Sequence, residues 1–80
     1  MVFQLQSILA YKFRHYNEIT TVYHDSEAWR ITITPYCDST FSAQVECEDG
    51  YVFYELRHLQ DYTECKNLEE LLDRYHELDD

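Results

Sequence analysis

The sequence predicts an α/β (α+β) domain: an N-terminal helix, a four-stranded antiparallel sheet and a C-terminal acidic amphipathic helix. Three observations carry this expectation. Asn67 to Leu78 reads NLEELLDRYHEL, and its Leu68, Leu71, Leu72, Tyr75 and Leu78 form one stripe at helical spacing. Phe41 to Glu48 alternates apolar and polar residues strictly, the period of a half-buried strand. Asp49-Gly50, holding the chain's one glycine, then precedes a second strand-like run, Tyr51 to His58. Two residues of this kind make a type I′ hairpin turn, where glycine tolerates the positive φ required.

Met1 to Tyr16 fits two periods. Helical spacing from Leu5 collects Leu5, Ile8, Leu9, Phe13 and Tyr16, broken only by Lys12. Strand spacing collects Phe3, Leu5, Leu9, Tyr11 and Phe13, broken only by Ser7. Length decides for a helix over Gln4 to Tyr16, because no Gly, Pro or Asn interrupts a run that is long for a strand. Glu18 to His24, EITTVYH, is β-branched and aromatic and reads as a strand. His24 to Glu27 is a polar turn. Trp29 to Thr34 is a second strand, with Trp29, Ile31 and Ile33 on one face. Pro35 ends it or marks an edge, and Cys37 to Thr40 is a loop.

The hairpin can be checked against itself. A two-residue turn at 49 and 50 sets Cys47 opposite Val52, Val45 opposite Tyr54 and Ala43 opposite Leu56, all apolar. The other face sets Glu48 against Tyr51, Glu46 against Phe53, Gln44 against Glu55 and Ser42 against Arg57. Turn chemistry and face pattern agree on one register. Gln60 to Lys66 reads as a connector. Asn67 is an N-cap, and Glu70, three residues on, completes a capping box.

The 80 residues make one domain near the lower size limit for an autonomous core. Eight Tyr, four Phe and one Trp add the bulk that a thin core needs. Three cysteines, Cys37, Cys47 and Cys65, form no C-x-x-C pair. An odd count and a polar-interrupted N-terminus without a secretory apolar core point to a reducing, cytoplasmic setting with free thiols. No apolar run reaches the roughly 20 residues of a membrane span.

Chemistry-bearing motifs are sparse. One glycine is too few for a phosphate-cradling loop. Cys47 falls on the inward face of the hairpin, as a buried structural thiol does. The VECEDG segment would need ligands at Val45 and Leu56 to bind calcium, and neither can ligate. The expectation is therefore no enzyme, no cofactor and no metal.

Charge is the remaining signal. The net charge is -10, and it is uneven. Residues 1–40 hold four acids against three bases, while residues 41–80 hold twelve against three. Such a surface repels nucleic acid and attracts basic protein surfaces. Glu46 and Glu48 project from one strand face about 6.8 Å apart. Glu69, Asp73 and Glu77 recur about 6 Å apart along the last helix. Duplex DNA spaces phosphates about 3.4 Å apart along each strand, so these carboxylates form a sparser line of the same sign. Tyr51 and Phe53 lie beside them, either exposed as contact residues or covered by the first helix. The expected partner-binding set is Glu46, Glu48, Asp49, Tyr51, Phe53, Glu69, Glu70, Asp73 and Glu77.

In size, acidity and mixed α/β pattern the whole chain resembles small acidic inhibitor proteins of phages and other mobile elements, among them uracil-DNA glycosylase inhibitors and acidic anti-CRISPR proteins. That resemblance lies in composition and carries no functional residues with it. It implies an inhibitor that mimics DNA or RNA and occupies a basic nucleic-acid-binding surface of a host protein, in the host cytoplasm, touching neither nucleic acid nor membrane itself. Two other readings stay open: an acidic adaptor or antitoxin-like partner of a basic protein, and a small-molecule binder with an aromatic interior.

Overall fold

The computed structural model describes residues 2–15, 17–36, 38 and 40–79. In chain order it runs α1 (Val2–Lys12), β1 (Asn17–Asp25), β2 (Ala28–Pro35), β3 (Phe41–Glu48), β4 (Tyr51–His58), β5 (Asp61–Cys65) and α2 (Leu68–Asp79). The strands form one antiparallel meander in the order β1-β2-β3-β4-β5.

The β3–β4 hairpin has the expected register, from Phe41 opposite His58 to Glu48 opposite Tyr51. Asp49 and Gly50 both take positive φ, 53° and 83°, as a type I′ turn requires. The Gly50 N–H also donates to the Glu27 carbonyl at 3.1 Å, tying this turn to the turn before β2. That earlier turn is held by Asp25, whose carboxylate accepts the Glu27 N–H at 2.8 Å.

The sheet has five strands rather than four. Residues 61–65, expected as a connector, pair with β4 from His58 opposite Asp61 to Tyr54 opposite Cys65. Leu59 and Gln60 make the turn, and Leu59 takes φ 59° without being Gly, Asn or Asp. A contact from elsewhere in the chain holds it there: the Leu59 N–H donates to the Thr40 carbonyl at 2.6 Å. No local turn chemistry announces this hairpin, so propensity alone misses it.

The first helix occupies Val2–Lys12, not Gln4 to Tyr16. Phe13 still donates its N–H to Leu9 at 2.9 Å, closing one more turn. Asn17 then opens β1, and its side-chain amide donates to the His15 carbonyl at 2.7 Å, the local bonding by which Asn favours turns over helices. Tyr16, the predicted end, lies outside the described residues.

Both helices lie on the same face of the sheet. The core joins Trp29, Ile31 and Ile33 of β2, Phe41, Ala43, Val45 and Cys47 of β3, and Leu56 of β4 to Leu9, Phe13, Leu71, Leu72 and Tyr75 from the helical layer. Rings bridge the helices: Phe13 meets Tyr75 edge-on at 5.2 Å and stacks on His76 at 5.2 Å. Among the described residues the opposite face of the sheet carries no helix. Among the described residues no helix is long and apolar enough to cross a membrane.

Cys47 and Cys65 are free and buried, and Cys37 lies outside the described residues. The Cys47 thiol donates to the Glu27 carbonyl at 3.5 Å. Burial pushes the Cys65 thiol up, and Glu70 nearby adds to the shift while Arg74 opposes it. Thiol titration of denatured protein without reductant should find three thiols per chain. In the native state Cys65 should react more slowly than an exposed thiol at the same pH, because less of it is thiolate. One free thiol per denatured chain would mean an internal disulfide.

Candidate functional site

The uncovered sheet face is a lattice that the strand register defines. Its central row runs Val22, Arg30, Glu46, Phe53 across β1 to β4. The next row runs Thr20, Thr32, Gln44, Glu55, Glu64, and beyond it come Glu18, Thr34, Arg57 and Tyr62. At the hairpin end, Glu48 pairs with Tyr51. Neighbouring positions are about 4.8 Å apart across strands and about 6.8 Å apart along them.

Tyr51 is 72 % exposed and Phe53 43 %. Of the two readings of these rings, exposure is the one observed, because α1 packs on the far side of the sheet. Val22 and Tyr62 are also exposed on this face. Glu46 receives a long hydrogen bond from Gln44, at 3.5 Å. Among the described residues none of Glu46, Glu48, Glu55 and Glu64 is in an ion pair. Arg57 lies over the Tyr62 ring at 5.2 Å from its centroid, which directs this cation toward a π face. The lattice therefore offers unpaired carboxylates next to bare aromatic rings.

The acids of α2 form a separate field. Its apolar stripe packs on the covered face, so Glu69, Asp73 and Glu77 point away from the sheet. A shallow groove there is lined by Asn67, Glu69, Glu70, Asp73, Arg74 and Glu77. The nine expected site residues are thus not brought together. Glu46, Glu48, Tyr51 and Phe53 share the open sheet face, with Asp49 at its end, while Glu69, Glu70, Asp73 and Glu77 lie on the opposite side of the domain.

Glu70 differs from its neighbours. Asn67 Oδ1 accepts the Glu70 N–H at 2.8 Å, which is the N-cap half of the expected capping box, while the Glu70 carboxylate accepts the Lys66 N–H at 2.7 Å, one residue before the N-cap, in place of the Asn67 N–H. Arg74 adds an i,i+4 contact at 3.4 Å. The Lys66 N–H, foremost, holds the Glu70 carboxyl below its usual value of 4.5, with Arg74 helping and desolvation opposing. A depressed folded pKa stabilises the fold above 4.5, and that contribution is lost as pH falls through the folded value. Glu70 is a helix-start residue before it is a contact residue.

Sequence reasoning missed Tyr62 and Glu64, because they sit on the unrecognised fifth strand. The run Asp61 to Cys65, DYTEC, has no strict apolar–polar alternation, so periodicity offered no signal for it. Among the described residues no cluster of three or more His, Cys, Asp or Glu could hold a metal ion. The sequence matches no protein-family model, and no curated protein or solved structure matches it.

Proposed function

We propose that this protein is a non-enzymatic inhibitor that binds a basic, nucleic-acid-binding surface of another protein and competes there with DNA or RNA. The observation that supports this most directly is the open sheet face, where unpaired carboxylates at regular spacing surround exposed Tyr51, Phe53 and Tyr62. A net charge of -10 steers the chain toward a cationic groove. Carboxylates then stand where phosphates would, and the aromatic rings supply the desolvated centre that fixes the complex. The composition of acidic mobile-element inhibitors, which this chain resembles, supports the same reading.

The test is a mixture of the partner, labelled nucleic acid and this protein. The label should leave the partner as this protein is added, and the protein's affinity should fall steeply with salt. Nucleic acid that stays bound while this protein also binds would replace mimicry with the adaptor reading or with allosteric inhibition.

A further inference from the structure

We propose that β1 is a self-association edge, through which two copies pair antiparallel about a two-fold axis at Thr21 and extend the sheet to ten strands. The two sheet edges are built differently. β5 is five residues long and begins with Asp61, and its Tyr62 and Glu64 are exposed. Short, charged edges of this kind resist pairing. β1 is nine residues long, NEITTVYHD, with no charged residue from Ile19 to Tyr23 and β-branched side chains at the four successive positions Ile19 to Val22. As the end strand of the sheet it leaves every second N–H and C=O of its backbone without a strand partner. Its one irregularity falls between Tyr23 and Asp25, so the stretch from Asn17 to Tyr23 is regular.

Charge points to a second copy as the occupant. Residues 1–25, which take in α1 and the whole of β1, hold Lys12 and Arg14 against Glu18 and Asp25, a balance of 0 in a chain whose total is -10. Two such chains repel over most of their surfaces, and β1 with the helix over it is the flank where repulsion is least. That flank also carries exposed apolar groups: Phe3, Ile8 and Tyr11 on α1, and Val22 and Tyr23 on β1. Phe3 and Tyr23 already meet across it in a tilted contact, with ring centroids 5.0 Å apart.

Geometry selects the register. Only partner numbers with an even sum keep covered-face residues opposite covered-face residues. Overlap over the whole strand requires a sum of 42. Ile19 then faces the second copy's Tyr23, Thr20 faces Val22, and Thr21 faces itself on the axis. Ile with Tyr is a favourable cross-strand pair, and Thr with Thr can share a hydrogen bond.

Sedimentation equilibrium of the full chain tests this. The mass should rise with concentration to twice 9.8 kDa. Salt should strengthen the dimer, because it screens the net repulsion, whereas it should weaken binding to a basic partner; the two readings therefore fail separately. Thr20 and Val22 are exposed, so T20K/V22K should keep the monomer's circular dichroism and yet remain one chain in mass, with lysines facing across the axis. Hydrogen exchange of the unaltered protein gives a reading that needs no variant: amides within residues 18–24 should slow with concentration while those of 61–65 do not. A wild-type mass of one chain at every concentration overturns the proposal. So does a dimer that T20K/V22K leaves intact, or concentration-dependent protection confined to β5.

Discussion

Tyr75→Ala should lower stability by about 3–5 kcal/mol, the range for removing a buried aromatic ring. Tyr75 is fully buried and sits at the junction of both helices and the sheet. It touches Phe13 on one side and Phe41 on the other, with ring centroids 5.2 and 5.4 Å away. Its hydroxyl donates to Asn17 Oδ1, joining the last helix to the start of β1 across 58 residues of chain. A domain of this size has about 5–15 kcal/mol in total, so the loss is a large share of it. Tyr75→Phe isolates the hydroxyl and should cost about 1–3 kcal/mol, because Asn17 loses a buried partner. Leu72→Ala, one turn earlier on the same stripe, should cost about 2–5 kcal/mol. Urea unfolding followed by circular dichroism measures all three. A Tyr75→Ala loss within about half a kcal/mol, the range of neutral surface changes, would mean that α2 does not pack as described.

The parts of this fold that were legible in the sequence are those where two local signals coincide. The β3–β4 hairpin had both strict alternation and an Asp-Gly turn, and its register is correct at every pair. The last helix had a stripe, an N-cap and a capping-box pattern. β5 had none of these aids. Its turn rests on Leu59, held in a left-handed conformation by a bond to Thr40, a residue 19 positions away that no local window includes. The candidate site was legible residue by residue but not as a surface. Charge spacing identified carboxylates on both β3 and α2, yet periodicity says nothing about which face of a sheet a helix covers. That depends on where α1 and α2 dock, and both dock on the side of Trp29, Val45 and Leu56. Docking both helices there left Tyr51 and Phe53 bare, and it placed the α2 acids on the opposite side of the domain.

That separation makes the charge-reversal experiment sharper than composition alone allows. E46K/E48K changes two open-face carboxylates and leaves a net charge of -6 from -10; E69K/D73K/E77K changes three on α2 and leaves -4. If binding followed the overall field alone, the triple variant would be the weaker binder. If the open sheet face makes the contact, the double variant should lose more, by about 3 kcal/mol or over a hundredfold in Kd, with the triple variant retaining most of the affinity. Stability should not confuse the comparison. Glu48 is exposed, and Glu46 is half-buried opposite Arg30, where a lysine adds a like-charge pair costing about 0.2–1 kcal/mol. Glu46→Gln removes the charge without that repulsion and should still weaken binding measurably. Tyr51→Ala and Phe53→Ala should follow the double variant, since rings at the centre of a contact contribute more than rim charges. Titration calorimetry at two salt concentrations reads the whole series. A greater loss from E69K/D73K/E77K than from E46K/E48K would move the contact surface to the outer side of α2, leaving the aromatic lattice without a part in binding.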